Sequence, residues 1–285
     1  MKIVVTWNCQ TAGLCLALNK IFTNDLIYPF PTPDLTNEVK LNELCELVES
    51  SDFWLTDCKF NYVPSRNVQL IKIPSVLFRG FHPDVCYARS KSTGEYTINH
   101  WNSRIVVWAY RNKVDSESAL KLFNSKVYED LLYYETWLKS YEDLKSSFIN
   151  CDISVNDFND LFLFLKRSGI FMHGINHPKP NLIIGLASLL AKKIDPLITS
   201  RMSCNFEIPD TLPIPAWPVY SEIADYMGFS GGGYNWLFLD KSISGAKDYI
   251  DFSFQQYEAQ GILTTELEPD VEYSESANRI LEGML

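Results

Sequence analysis

The sequence predicts an α/β fold, with a mostly parallel N-terminal sheet flanked by helices and a helix-rich C-terminal half. Three observations carry this reading. Lys2–Trp7 is an unbroken, β-branched-rich run of the kind found in strands covered on both faces. Gly13, Leu14, Ala17, Leu18, Ile21 and Phe22 then recur at helical spacing, so a helix follows the strand after a very short turn. Strand-like and helical segments go on alternating as far as Phe78.

The elements follow in order. DLIYPFP (25–31) reads as a short strand, and TNEVKLNELCELVESS (36–51) as a helix capped by Thr36 that buries Leu41, Leu44, Cys45 and Val48. DFWLTDC (52–58) and VQLIKIPSVLF (68–78) give two more strands, which completes a βαβαβ unit. YTINHWNSRIVVWAY (96–110) is strand-like, as an edge or a hairpin. From Ser116 to about Asn150 the pattern is helical, with Leu120, Phe123, Val127, Leu131, Trp137, Leu138, Tyr141 and Leu144 forming an apolar stripe. Ser154 and Asp157 form a capping box for a helix that Gly169 stops. LIIGLASLLAKKI (182–194) is a strongly apolar helix opened at Pro178 or Pro180. Four prolines make 205–218 an extended connection, YSEIADYMGF (220–229) opens with a short helix, and the acidic tail from Glu266 reads as a surface helix or a partly mobile segment. Without repeat or linker, residues 1–285 read as a single domain, divisible into an α/β core (1–115) and a helix-rich part (116–285).

Charge and cysteine usage narrow the function. A net charge of −10, with no clustered Lys and Arg, argues against nucleic acid and anionic membrane surfaces as partners. A local basic pocket for a small phosphorylated ligand stays open. The seven cysteines are scattered, with no C-x-x-C pair and no zinc-type spacing. They read as reduced thiols of a cytoplasmic protein without a metal. MKIVVTW is too short for a signal peptide, and no run approaches the roughly 18 apolar residues of a spanning helix.

Three stretches could carry chemistry. In Asn8-Cys9-Gln10 a thiol stands at a strand-to-helix junction. A helix N-terminus lowers a thiol's pKa and supplies donors for an oxyanion, while a buried filler is the structural alternative. FRGFHPDV (78–85) offers His82 as base or acid, Asp84 to orient it and Arg79 to hold an anionic group, or else a turn with a structural histidine. MHGINHPKPN (172–181) places His177 after Asn176 and just before an apolar helix, with His173 four residues earlier. Cys9 and His177 would make a thiol–imidazole pair, unless His177 is only a cap. SGGG (230–233) lacks the Lys-Ser/Thr of a P-loop and reads as a flexible loop or lid.

In this order, Asn8-Cys9-Gln10, Arg79-Gly80-Phe81-His82-Pro83-Asp84 and Asn176-His177-Pro178 resemble the WcbI-type family of polysaccharide biosynthesis enzymes, read as acetyltransferases that bind coenzyme A. The resemblance implies acyl transfer, acetyl in the first instance, from acetyl-CoA to a sugar hydroxyl of a capsular or exopolysaccharide. Cys9, His177, His82 and Asp84 would then be catalytic, with Asn8, Gln10, Arg79, Gly80, Asn176 and Lys179 binding the co-substrates. Arg79, Lys72 and Lys179 are the candidates for the coenzyme A phosphates. The family pattern has Gly before Asn-Cys-Gln where this chain has Trp7, which implies a reshaped pocket beside the thiol. The topology also resembles the opening of SGNH-type esterases, so a cysteine-dependent esterase or deacetylase is the second reading. A non-catalytic coenzyme A- or glycan-binding protein is the third.

Overall fold

The structure is a computed structural model of the 285-residue chain, and it describes residues 1–35, 38–60, 62–198, 206–271 and 273–285. The expected cap Thr36, and Cys204, lie outside the described residues. In chain order the elements begin with β1 (Lys2–Trp7), α1 (Thr11–Ile21), β2 (Leu26–Pro31), α2 (Glu38–Glu49), β3 (Phe53–Thr56) and β4 (Gln69–Lys72). Then come β5 (Val85–Ser90), β6 (Tyr96–Ser103), α3 (Arg104–Arg111), α4 (Ser116–Leu120), α5 (Ser125–Asp130) and α6 (Thr136–Ile149). The remainder is α7 (Val155–Ser168), α8 (Pro180–Ile194), α9 (Ser221–Met227), β7 (Asn235–Leu237), β8 (Ser242–Ser244), α10 (Ala246–Ala259), β9 (Leu267–Pro269) and α11 (Glu275–Gly283). They fall into two compact units, Met1–Leu77 with Glu142–Pro213, and Phe78–Tyr141 with Ile214–Leu285. The dividing lines fall at 77/78, 141/142 and 213/214.

The first unit is built on a parallel four-stranded sheet of order β2-β1-β3-β4. β1 is paired on both sides, with Val4 opposite Tyr28 and Trp54, and Thr6 opposite Phe30 and Thr56. Val4 packs with Leu44 and Val48 of α2 and with Trp54, while Ile3 and Val5, pointing the other way, are equally buried. Burial on both faces is why Lys2–Trp7 reads as continuous rather than alternating. α8 packs on α1 and on α7. The capping box forms, as Ser154 Oγ accepts the Asp157 N–H (3.1 Å) and bonds to Asp157 Oδ2 (2.7 Å). Gly169 ends α7 at φ 95°, a conformation that favours glycine.

The second unit contains the antiparallel sheet β6-β5-β9 and the hairpin β7-β8. Here two expectations are corrected. RIVVWAY is helix α3, not strand: Ser103 Oγ accepts the Val106 N–H (3.2 Å) and Asp84 Oδ1 accepts the Ile105 N–H (3.1 Å), so two side chains satisfy the helix start. Ile105–Tyr110 are all buried, so a short unbroken apolar run between two arginines reads as a strand. The stretch from Ser116 is broken into α4, α5 and α6, because Asn124 caps α5 through the Val127 N–H (3.0 Å) and Leu132 takes φ 60°. SGGG is a loop, as expected, exposed from Ser230 to Gly232, and a Cβ at Gly232 would stand 2.6 Å from the Ala224 Cβ of α9.

Gly185 lets α8 approach α7, where an added Cβ would lie 2.2 Å from Leu161 Cδ1. Gly185→Ala should lower stability by about 1–3 kcal/mol. Gly283→Ala, with nothing within 4 Å of the new Cβ, should be neutral or slightly stabilising; the shift of the denaturant midpoint reads both.

Candidate active site

In the first unit the site starts from the register of β1. The strand pairs with β2 on one side and β3 on the other, so the order reverses between β1 and β3, where ligands of open α/β sheets bind beyond the strand C-termini. Cys9 follows β1, and Cys58 and Lys59 follow β3. Asn8 shapes the turn: its Oδ1 accepts the Gln10 N–H (2.8 Å), and its carbonyl accepts the Thr11 hydroxyl (2.6 Å) and N–H (3.1 Å). Gln10 is the N-cap of α1, which leaves Cys9 one residue outside the helix rather than in its first turn. The thiol is exposed, not a buried filler. Its pKa nevertheless stands above that of an ordinary thiol, because surrounding protein desolvates the thiolate more than its own backbone N–H and the Lys59 ammonium stabilise it. The expectation of a helix-lowered pKa is thereby corrected. Trp7, paired with Pro31, is 1 % exposed and belongs to the core of this unit.

His177 sits in a loop closed on itself. Met172 bridges Pro178, His173 N–H donates to the His177 carbonyl (2.7 Å), and Lys179 N–H donates to the Phe171 carbonyl (2.9 Å). The loop ends on Lys179, the N-cap of α8, and Pro180 opens the helix, so of the two prolines it is the second that does so. His173 Nε2 lies 2.5 Å from Asp210 Oδ2, and Leu212 N–H donates to Oδ1 (3.2 Å). Burial lowers the pKa of Lys179, with Asp210 opposing that shift. Thr211, next along, presses on α1: a Cβ at Gly13 would meet Thr211 Oγ1 at 2.8 Å and Ile183 Cγ2 at 3.7 Å. Gly13 and Ile183 belong to the opening turns of α1 and α8, so the helices led by the Cys9 turn and the His177 loop lie side by side at their starts. Gln10, 1 % exposed, points its amide along this seam, with Oε1 3.9 Å from the same Cβ position and, among the described residues, no hydrogen-bond partner at Nε2.

Arg79, Gly80, His82 and Asp84 belong to the second unit. Arg79 Nη1 donates to the Val85 carbonyl (2.7 Å) and Nη2 lies 3.9 Å from Asp270, so the guanidinium is engaged with its own surroundings. Gly80 is required by packing, as a Cβ would stand 2.7 Å from the Phe78 ring. His82 is buried, with Nδ1 3.2 Å from the Pro218 carbonyl; a carbonyl only accepts, so Nδ1 carries the proton and Nε2 is the basic nitrogen. Asp84 is wholly enclosed and accepts from Tyr133 (2.7 Å), Tyr220 (2.7 Å) and the Ile105 N–H. Burial raises its pKa, and Ser103, the two phenols and that N–H oppose the rise.

Among the described residues no cluster of His, Cys, Asp and Glu is placed to hold a metal ion, and no helix is long and apolar enough to cross a membrane.

A parallel sheet with helices on both faces and a cysteine at its switch point defines a doubly wound α/β protein of the kind that binds ligands beyond its strand ends. More specifically, the chain belongs to the WcbI family of polysaccharide biosynthesis enzymes, whose family model matches residues 2–196. A solved structure of WcbI, a novel polysaccharide biosynthesis enzyme, shares the fold at a TM-score of 0.70 and 16 % identity, covering 99 % of this chain and 94 % of that one. That protein was solved in its native form without a disulfide bond between coenzyme A and one of its cysteines. No curated protein matches the chain.

Because its pKa is raised, Cys9 should alkylate more slowly than free cysteine at neutral pH, with a rate that rises only at higher pH. Lys59→Gln should slow it further at pH 8, by about twofold for a solvent-screened charge. Iodoacetamide labelling followed by peptide mass spectrometry checks both.

Proposed function

We propose that the chain transfers an acyl group, acetyl in the simplest case, from a coenzyme A thioester to a sugar hydroxyl during polysaccharide synthesis, with Cys9 and His177 at the reacting centre. The observation that carries the proposal is the seam at Gly13 and Ile183, where the helices led by the thiol turn and the imidazole loop start side by side. Coenzyme A as co-substrate is supported by the WcbI structure, whose description concerns a bond between coenzyme A and a cysteine.

The raised pKa of Cys9 shapes the chemistry. A thiol that is protonated at neutral pH needs a base, and His177 supplies it by taking the Sγ proton as sulfur attacks the thioester carbonyl. The coenzyme A thiolate leaves and takes that proton, and the acyl group stays on Cys9. His177 next accepts the proton of the sugar hydroxyl, whose oxygen attacks the acyl carbon and releases the Cys9 thiol. Gln10 Nε2 is a buried donor suited to the oxyanion formed in each step, and Asn8 holds the turn. Lys179 is proposed for the anionic parts of coenzyme A. The compartment proposed is the cytoplasm, where unpaired thiols stay reduced.

Coenzyme A should raise the melting temperature, by an amount that keeps growing with the logarithm of its concentration above Kd, and absence of a shift at saturating ligand would count against the reading. Acetyl-CoA without acceptor should leave an acyl group on Cys9, visible by mass spectrometry and absent from Cys9→Ala. That variant and His177→Ala should each lose about 100-fold or more in rate. If Cys9→Ala kept most of its activity, the acyl group would pass directly to the sugar with His177 as base. Exposure of Cys9 favours a second reading, hydrolysis of an acetylated sugar, which is distinguished by acetate release from such a sugar in the absence of coenzyme A.

A further inference from the structure

In the second unit, away from the FRGFHPD motif itself, α5, the turn after it and α9 enclose a cavity of about 500 Å³ whose wall includes Tyr134, Tyr226, Glu129, Glu135, Ser125 and Lys126. Tyr134 and Tyr226 stack with ring centroids 4.1 Å apart and planes 25° from parallel, and Tyr226 is 68 % exposed. A large stacked aromatic pair at the surface, ringed by carboxylates and a hydroxyl, is a pairing of apolar face and polar edge that the fold does not need for its own core.

The backbone is built to present it. Leu132 stands at φ 60°, a left-handed conformation unusual for leucine, and the chain alternates around it. Tyr133 turns inward to donate to Asp84 while Tyr134 turns outward onto Tyr226. Tyr220 donates to the other oxygen of Asp84, and α9, which starts at the next residue, carries the exposed Tyr226 one residue before its end. Gly232 packs against Ala224 and holds α9 from behind. Asp84 thus anchors both elements that form the platform.

We propose that this platform binds a saccharide segment of the polysaccharide, one that carries no negative charge. A pyranose ring presents axial C–H groups on one face and hydroxyls around its edge, which matches a tyrosine face bordered by Glu129, Glu135 and Ser125. The charge balance excludes uronates and phosphosugars, because Lys126, the cation of the wall, is already bonded to Asp130 (2.7 Å) and lies 3.9 Å from Glu129. Glu135 then remains as negative charge facing the ligand. The inference rests on membership of a polysaccharide biosynthesis family and not on the acyl-transfer step.

The test is calorimetric titration of the full chain with three oligosaccharides of equal length: N-acetylchitotetraose, chitotetraose at pH 6 and tetragalacturonate. The first two should bind saturably and tetragalacturonate at least about tenfold more weakly. Tyr226→Ala and Tyr134→Ala should each weaken binding by about fivefold or more, and Tyr226→Trp should restore it. Tyr226 is exposed, so its alanine variant should keep the wild-type melting temperature. Cys9→Ala should bind as the wild type does, which separates this outcome from failure of the acyl-transfer reading. Binding of none of the three, equal binding of the galacturonate, or full affinity in Tyr226→Ala would overturn the proposal.

Discussion

The close approach at Gly13 is the constraint on which the first unit's site depends. A methyl group at this position would stand 2.8 Å from the Thr211 hydroxyl, while Ile183 at 3.7 Å would be in ordinary contact. Removing that space would press on Thr211, beside Asp210. The same segment carries the carboxylate that holds His173, whose N–H is tied to the His177 carbonyl. One small residue therefore couples the turn of the thiol to the loop of the imidazole through packing and two hydrogen bonds. Geometry supplied by helices and a closed loop costs little entropy at the moment of binding, since both are ordered beforehand.

The second unit is organised by a different means. Asp84 is buried among neutral donors, which include Ser103, two phenols and a backbone N–H and stabilise a carboxylate that burial alone would destabilise. Removing one partner of such a network leaves a polar group buried without compensation, so the residues act as a set. α3, the turn after α5 and the residue that leads α9 are all referred to this one side chain.

How much of this was legible in the sequence varies with how local the determinant is. The strand, turn and helix from Lys2 to Ile21 were, because burial on both faces leaves a continuous run and the helix keeps its period. The capping box at Ser154 was, because its bonds join residues three apart. α3 was not, since its six consecutive buried residues imitate a strand and the side chain that caps it alongside Ser103 lies 21 residues away. Asp210 was not either: it lies in a proline-rich extended segment, without a motif, and meets His173 across 37 residues. The motif residues were found by their order, but the order gave no sign that Arg79 would be engaged with Val85 and Asp270, or that Asp84 would be enclosed. Composition and spacing report what the backbone does over a few residues, whereas these assignments are tertiary.

An exposed thiol with a raised pKa has one more consequence, concerning how long the protein lasts rather than how it reacts. Peroxides attack the thiolate, so a surface cysteine kept in its protonated form resists conversion to sulfenic and sulfinic acids. Accessibility and inertness are then compatible at Cys9: sulfur open to a large ligand can wait between encounters without being spent on stray oxidants.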